Sequence, residues 1–238
     1  MIRELKWDTE FFKKKIGALI FDEISEVDIA SELEEARKKN YKYIVCQLKS
    51  PKLSIINILE ESRFYLSDVG VIWEMRVDEY LSIVKRKSLN HSYKPSEAEI
   101  KDIPALQEII RPMFPNSRFY SDPFFSNEEA DNLYYIWIEN SVLGKAADVV
   151  FHMPGKAFVT CKKINGGFGE IILIGVKDGL RGKSLGRTLM DSSVKWFSKN
   201  QIQNIKVRTQ LKNTGAMNFY RKLGFSIEGY DMIFSYAM

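Results

Sequence analysis

The segment from Gly169 to Arg187 constrains the fold of this chain more than any other part of the sequence. It begins as an apolar, β-rich run, passes through a turn rich in glycine and basic residues, and continues with helical spacing. A strand that enters a helix through such a turn points several backbone N–H groups at one spot, beside the positive end of the helix dipole. The segment therefore predicts an α/β unit that carries a site for a pyrophosphate.

The residue types of the turn fit this interpretation. Gly182 and Gly186 let the backbone approach phosphate oxygens without an intervening Cβ. Arg181, Lys183 and Arg187 add positive charge. The alternative is an ordinary strand-to-helix turn whose basic side chains are only solvated.

Other motifs and the composition argue against several further classes of protein. Lys177 stands where a P-loop requires its first glycine, and the turn lacks the dinucleotide fingerprint G-x-G-x-x-G. The 238 residues include 35 Lys plus Arg and 31 Asp plus Glu, a net charge of +4 that is too small to indicate a nucleic-acid-binding face. No apolar run reaches the roughly 18 residues of a membrane span. We therefore expect no nucleic acid, no membrane and a cytoplasmic location.

The two cysteines and two histidines have no metal-ligand spacing, so we expect no metal. Cys46 and Cys161 lie in apolar, strand-like runs and are interpreted as reduced core thiols. His91 and His152 are interpreted as a surface residue and a strand-end residue, without a catalytic role.

Periodicity predicts alternating helices and strands in two halves. The polar stretch Lys85–Ser96 contains a proline and favours a boundary, so we predict domains at residues 1–92 and 93–238. A capping-box sequence at Ser126 opens a helix that stops near Gly144. Strand patterns cover residues 17–23, 41–48, 71–77, 147–152, 157–164, 168–176, 205–210, 226–228 and 232–236, and further helical patterns cover 28–39, 55–61, 103–113, 184–199 and 213–223.

Residues 58–77 faintly echo residues 219–238, since in each a short helix ends near a phenylalanine and an alternating strand follows. We interpret the N-terminal half as a degenerate copy of the C-terminal one. It lacks the glycine-rich turn and should bind no second cofactor.

Two motifs resemble those of the GNAT acetyltransferases. The segment up to Gly186 is similar to their motif A, Q/R-x-x-G-x-G/A, with Arg181 first and Ser184 in place of the middle glycine. Residues 213–225 fit N-x-x-A-x-x-F-Y-x-x-x-G-F. Both motifs stand in the family's order and together cover about residues 97–238. The resemblance implies an α/β GNAT fold, a mixed, splayed central sheet flanked by helices, preceded by a smaller GNAT-like half.

The resemblance also implies a cosubstrate, acetyl-CoA, lying between two diverging parallel strands. Direct attack of an amine on the thioester is expected, with the oxyanion held by a strand N–H near Ile174. The general acid for the thiolate would be Tyr220, which the alternative interpretation makes a core aromatic. The residues expected to bind the cosubstrate are Leu173, Ile174, Gly175, Val176, Arg181, Gly182, Lys183, Ser184, Leu185, Gly186, Arg187, Asn213, Ala216 and Phe219.

A closer resemblance, carried by residues 7–12, 117–120 and 137–144, is to the GNAT enzymes that acetylate a dTDP-linked 4-amino-4,6-dideoxygalactose. It implies a nucleotide-linked amino sugar as the acceptor. Arg118, Phe119 and Tyr120 are expected to bind it, because Arg and four aromatics between residues 118 and 125 could stack on a base or sugar. The alternative is a helix–helix connector with core aromatics.

Asp68 aligns with an acidic position that these enzymes place near the amine, so it is the expected proton acceptor. Taken alone it is an ordinary turn residue, and Glu74 or water is the reserve candidate. Two other functions stay open: a GNAT enzyme for a protein N-terminus or small-molecule amine, and a non-catalytic acyl-CoA-binding module. The sequence leaves open the sugar, the nucleotide, the acetylated position and the assembly, for which a homodimer is one alternative.

Overall fold

The computed structural model describes residues 1–20, 28–87, 93–111 and 113–238. Its strands are β1 (Ile2–Glu4), β2 (Ile16–Leu19), β3 (Tyr43–Lys49), β4 (Tyr65–Arg76), β5 (Ser96–Glu97), β6 (Val149–Met153), β7 (Ala157–Ile164), β8 (Phe168–Val176), β9 (Asn204–Gln210) and β10 (Ser226–Ala237). Its α-helices are α1 (Lys6–Phe12), α2 (Ile29–Lys38), α3 (Leu53–Glu61), α4 (Val77–Lys87), α5 (Ile103–Ile110), α6 (Arg118–Ser121), α7 (Asn127–Val142), α8 (Leu185–Lys199) and α9 (Thr214–Leu223).

All of these strands belong to one mixed sheet in the order β1-β2-β3-β10-β4-β9-β8-β7-β6-β5. The last strand, β10, lies between β3 and β4 and runs antiparallel to both. β4 in turn pairs antiparallel with β9. The two predicted halves therefore share their strands, and the boundary at residues 92/93 stays a prediction.

Helices cover both faces of the sheet. On the first face, Trp73 and Val207 pack with residues from α4, α8 and α9, among them Leu189 and Tyr220. Further along the same face, α2 and α3 cover β3 and β10. On the second face α5 and α7 pack against β6, β7 and β8, and α1 and α7 pack against β3 and β10. The alternation of buried and half-buried residues in β8 and β9 follows from this arrangement.

Local sequence accounts for the starts of two helices. The Ser126 hydroxyl accepts a hydrogen bond from Glu129 N at 3.1 Å, and the Glu129 carboxylate accepts one from Ser126 N at 2.8 Å. This reciprocal pair is the predicted capping box. The side chain of Asn213 caps α9 by accepting from Ala216 N at 3.1 Å. None of the described helices is long and apolar enough to span a membrane.

The structure differs from the predicted elements at several places. β4 begins at Tyr65, so Asp68 lies inside a strand and its interpretation as a turn residue is wrong. α4 extends into the predicted linker, and β1 and α1 were not predicted. The two predicted terminal strands are one strand with a register shift after Ile227. Part of the predicted strand 17–23, the linker residues 88–92 and His91 lie outside the described residues.

Candidate active site

The opening between β8 and β9 is the part of the sheet that can admit a ligand. These parallel strands pair only over residues 168–171 and 204–207. Beyond those pairs, residues 172–176 of β8 and 208–210 of β9 are not paired with each other. The register of β7 against β8 shifts just after Thr160, which marks a β-bulge where the strands separate. The carboxyl ends of two parallel strands thus form a cleft with unpaired backbone groups.

The backbone of β8 directs amide groups into this opening. Leu173 N–H donates to Thr160 Oγ1 at 2.9 Å and therefore points toward β7. Successive N–H groups of a strand point to opposite edges, so Ile174 N–H points into the opening. Ile174 is the position expected to hold the oxyanion, and that role stays a prediction.

The turn after β8 leaves the start of α8 open. Gly179, Gly182 and Ser184 all have positive φ, at +79°, +80° and +61°. Ser184 is the N-cap of α8, but its side chain accepts no hydrogen bond from the helix. The first N–H groups of a 15-residue helix thus have no side-chain cap among the described residues, which suits an anion.

The basic residues of the turn fall into two groups. Arg181 and Lys183 are exposed, and Arg181 forms an ion pair with Asp178 at 2.9 Å. Arg187 is half-buried, and its buried Nε has no hydrogen-bond partner among the described residues. Burial and then Asp191 raise the pKa of the Tyr80 hydroxyl, and the charge of Arg187 opposes the rise. Arg187 is therefore oriented toward the contact between α4 and α8, unlike the other two.

The two glycines of the predicted pyrophosphate site have different surroundings. A Cβ on Gly186 would lie 3.2 Å from two ring atoms of Phe219 and 3.7 Å from Val176 Cγ2. The lack of a side chain there permits α8 to pack against α9, which is a different reason from the expected approach of phosphate. A Cβ on Gly182 would meet no atom within 4 Å, so the open space lies at that position.

An apolar strip connects the turn to the opening. Its members are only partly buried and pack against the core of the first face: Ile174, Val176, Leu180, Ala216, Met217 and Phe219. Leu185 is buried at the start of α8, and Gly175 faces the second face, where a Cβ would meet Met113 Sδ at 2.1 Å. The strip offers an apolar wall to a chain-like ligand.

Tyr220 lies in the core of the first face. Only 3% of the residue is exposed, and its ring packs against Trp73, Phe219 and Phe225 at centroid distances of 6.3, 5.4 and 5.5 Å. Burial raises the pKa of its hydroxyl above the ordinary value. The hydroxyl bonds to none of the described residues. Trp73 pairs with Val207, the last residue of β9 that is paired with β8, so Tyr220 is level with the start of the opening.

Asp68 lies on the second face and is bound to an arginine. Arg208 Nη2 donates to Asp68 Oδ2 at 3.0 Å. The same guanidinium binds both oxygens of Asp231, which is 2% exposed. The reserve candidate, Glu74, is in a different group and pairs with Lys206 at 3.4 Å.

The segment expected to bind the sugar nucleotide mostly packs against the protein. Phe119 and Phe125 pack against Phe12, at ring distances of 6.0 and 4.7 Å. The Tyr120 hydroxyl donates to Asp131 Oδ1 at 2.7 Å. Phe119 and Tyr120 are half-buried by these contacts, and their role in binding the acceptor stays a prediction. Arg118 differs, because its buried Nη1 has no partner among the described residues.

Arg118 and Asp68 act on a common neighbour in α7. Burial raises the pKa of Tyr134 to about 12, the charge of Arg118 opposes the rise, and the charge of Asp68 adds to it. The predicted base and the predicted substrate-binding arginine thus face one region of the second face.

Arg208 and Asp231 were not among the site residues expected from the sequence. Arg208 stands at an alternating polar position of β9, where a solvated charge gives the same pattern. Asp231 fell between two predicted strands. No described group of three or more His, Cys, Asp or Glu side chains could hold a metal ion.

Proteins of known structure share this architecture. Over 94% of this chain and 84% of the other, the structure is similar to a conserved protein of unknown function from Staphylococcus epidermidis, with a TM-score of 0.64 and 13% identity. A tandem GNAT protein from the clavulanic acid biosynthesis pathway gives a TM-score of 0.63 at 11% identity, over 93% of this chain and 75% of that one. These likenesses concern the fold, and they confirm the predicted GNAT fold with a smaller half before it.

Two curated proteins are similar in sequence. The spore coat polysaccharide biosynthesis protein SpsD of Bacillus subtilis is 27% identical over 53% of this chain and 45% of its own length. The dTDP-fucosamine acetyltransferase of Escherichia coli O6:H1 is 27% identical over 55% of this chain and 58% of its own length. The chain thus spans about half the length of these relatives. Residues 103–225, more than half of the chain, match the Acetyltransferase (GNAT) family, whose acetyl donor is acetyl-CoA. The chain belongs to the Acetyltransferase (GNAT) family.

Proposed function

We propose that this chain transfers acetyl from acetyl-CoA to the amine of a nucleotide-linked amino-deoxy sugar. The proposal rests on the opening between β8 and β9, which has an uncapped helix start at one end and the buried residue Tyr220 level with its inner end. The family match supports the acetyl donor. The names of the two curated relatives, a polysaccharide biosynthesis protein and a dTDP-fucosamine acetyltransferase, support the class of acceptor.

The pyrophosphate, pantetheine and thioester of acetyl-CoA would each bind to a different part of the site. Its pyrophosphate would accept from the free N–H groups at the start of α8, with Arg181 and Lys183 close by. Its pantetheine would extend along residues 173–176 against the apolar strip. Its thioester carbonyl would accept from Ile174 N–H as negative charge develops on the oxygen.

The reaction needs a proton acceptor on the second face and a donor on the first. An alkyl amine is mostly protonated at neutral pH, since the comparable lysine pKa is about 10.4. Asp68 takes one proton from the ammonium, directly or through water, and the freed nitrogen attacks the carbonyl carbon. The C–S bond then breaks, Tyr220 donates its hydroxyl proton to the departing thiolate, and the new amide nitrogen releases its second proton to solvent, from which Tyr220 regains one. A hydroxyl whose pKa is raised by burial stays protonated at neutral pH and can serve as that donor.

A panel of acceptors tests this function. Release of CoA thiol from acetyl-CoA is measured with dTDP-4-amino-4,6-dideoxygalactose, its gluco epimer, an N-terminal peptide amine and an aminoglycoside. The matched control is dTDP-6-deoxygalactose, which carries a hydroxyl in place of the amine. We expect the amino sugars to react at least about 100-fold faster in kcat/KM than the other amines, a difference of about 2.7 kcal/mol.

The other outcomes separate the alternatives. Peptide or aminoglycoside turnover equal to that of the sugars would remove the sugar assignment and leave the acetyltransferase. Tight binding of acetyl-CoA without turnover of any amine would favour the acyl-CoA-binding module.

A further inference from the structure

Two groups of similar composition lie on the second face of β4, β9 and β10. In each, one basic residue of β9 stands between an acid of β4 and an acid of β10. We define the inner triad as Asp68, Arg208 and Asp231, and the outer triad as Glu74, Lys206 and Glu228.

The inner triad holds its guanidinium in one place. Arg208 binds Asp231 in a bidentate manner, with Nε 2.8 Å from Oδ2, and Gln47 Nε2 donates to the same oxygen at 3.2 Å. Gly70 of β4 lies directly beneath, and a Cβ there would come within 2.2 Å of Arg208 Cζ. The absence of a side chain at this strand position is what lets the guanidinium lie flat on the backbone.

The contact of Arg208 with Asp68 is only partial. One guanidinium nitrogen reaches Oδ2 of Asp68, and no described residue donates a hydrogen bond to Oδ1. The Asp68 side chain is nevertheless 4% exposed. Oδ1 is not among the described buried side-chain atoms that lack a hydrogen-bond partner, so this oxygen is open to water or to a ligand.

The charges of the inner triad do not cancel. Two carboxylates surround one guanidinium, whose side chain is 27% exposed, so the group has an excess of one negative charge. Arg208 is the first residue of β9 beyond the pairs with β8, which places the triad beside the opening. A protonated amine on the acceptor has the charge and the donors that this group lacks.

We infer that Arg208 and Asp231 are positioning residues that bind one oxygen of Asp68 and leave the other to receive the ammonium of the acceptor. This inference rests on the proposed function and deepens it, because it assigns amine recognition to a pair that does not itself touch the reacting atoms. Because Arg208 binds both oxygens of Asp231, its guanidinium cannot also form a bidentate ion pair with Asp68. Such a pair would neutralise the charge of Asp68.

The first test is Asp231→Asn, with Glu228→Gln of the outer triad as the matched control. Without its charged partner, Arg208 turns to Asp68 and the excess negative charge is lost. We expect KM for dTDP-4-amino-4,6-dideoxygalactose to rise at least about tenfold at pH 7, which corresponds to about 1.4 kcal/mol. The Kd of acetyl-CoA should stay within about twofold, and the deficit should shrink at high pH, where the acceptor amine is neutral. Glu228→Gln should change none of these values more than about twofold.

A second pair of variants changes no charged residue, and it tests the inference even if Asp231→Asn does not fold. Gly70→Ala displaces the guanidinium, whereas Gly229→Ala meets no atom within 4 Å. We expect Gly70→Ala to raise the acceptor KM severalfold with an unchanged Kd for acetyl-CoA, and Gly229→Ala to match the wild type. Each variant is first checked for wild-type circular dichroism.

The outcomes are distinguishable. If folded Asp231→Asn and Gly70→Ala show the acceptor KM of their controls, the positioning role is overturned. If the wild type instead acetylates the peptide amine, and Asp231→Asn raises the KM of that peptide, the sugar assignment fails and the positioning role stands. If the wild type acetylates no amine, both fail.

Discussion

The two triads of the second face contain the same charges and differ in their surroundings. The outer triad lies where β8 and β9 are still paired, and its lysine and acids are 27–44% exposed. The inner triad lies where the strands have separated, and its two acids are almost fully buried. Exposed ion pairs contribute little to stability. A buried group with excess charge is unfavourable unless an ion or ligand of opposite charge binds to it. The divergence of the two strands, and not the residue types, distinguishes the inner triad from the outer one.

Two buried tyrosines on the first face differ in the same way, and substitution of Tyr220 should have a larger effect than any other variant. Tyr220, level with the opening, has a hydroxyl that bonds to none of the described residues, whereas the buried Tyr80 hydroxyl donates to Asp191. We expect Tyr220→Phe to lower kcat about 10²- to 10⁴-fold while the Kd of acetyl-CoA stays within a few fold, because a general acid is lost. Steady-state kinetics and calorimetry measure both.

Tyr80→Phe is the matched control for Tyr220→Phe. It should destabilise the fold by about 1–3 kcal/mol, because a buried carboxylate loses a donor, and should leave kcat within about twofold. A Tyr220→Phe enzyme that keeps more than half of the wild-type kcat would mean that Tyr220 only packs and that water protonates the thiolate.

A glycine in the turn after β8 and a glycine near the start of β8 differ in the same way, and a smaller effect is expected from them. A side chain on Gly182 enters open space at the start of α8 and also strains a backbone with a φ of +80°, so Gly182→Val should raise the Kd of acetyl-CoA at least about tenfold, or about 1.4 kcal/mol. At the paired end, a Cβ on Gly169 would come within 2.3 Å of the Phe197 ring. Gly169→Ala should lower the free energy of unfolding by about 1–3 kcal/mol and leave the Kd unchanged. The reverse pattern, with binding lost in Gly169→Ala and kept in Gly182→Val, would contradict the comparison.

The fold was largely predictable from the sequence because its elements are strongly patterned. β7 and β8 have the predicted bounds, since their apolar runs end at glycine or polar turns. The first half of β4 was missed because Ser67, Asp68 and Gly70 interrupt the apolar alternation. These residues are explained by a tertiary contact, because Gly70 and Asp68 accommodate the side chain of Arg208, which is distant in sequence. No local pattern encodes that requirement.

The candidate site was predictable to the extent that its motifs are local. The turn after β8 and the helix capped by Asn213 were recognisable because strand, turn and helix follow one another in the sequence. The inner triad joins residues of three strands, β4, β9 and β10, and appears only when β10 is inserted between β3 and β4. The contact of Phe119 with Phe12 was not predictable for the same reason, since Phe12 lies in a helix that was not predicted.

Amide hydrogen exchange at Ile174, followed by NMR with and without acetyl-CoA, tests most directly whether the opening between β8 and β9 is the donor site. Ile174 N–H points into the opening, whereas Val207 is paired with strands on both sides and serves as the internal reference. We expect saturating acetyl-CoA to slow exchange at Ile174 at least about tenfold and to leave Val207 unchanged. An exchange rate at Ile174 that does not respond to bound acetyl-CoA would show that the donor binds elsewhere.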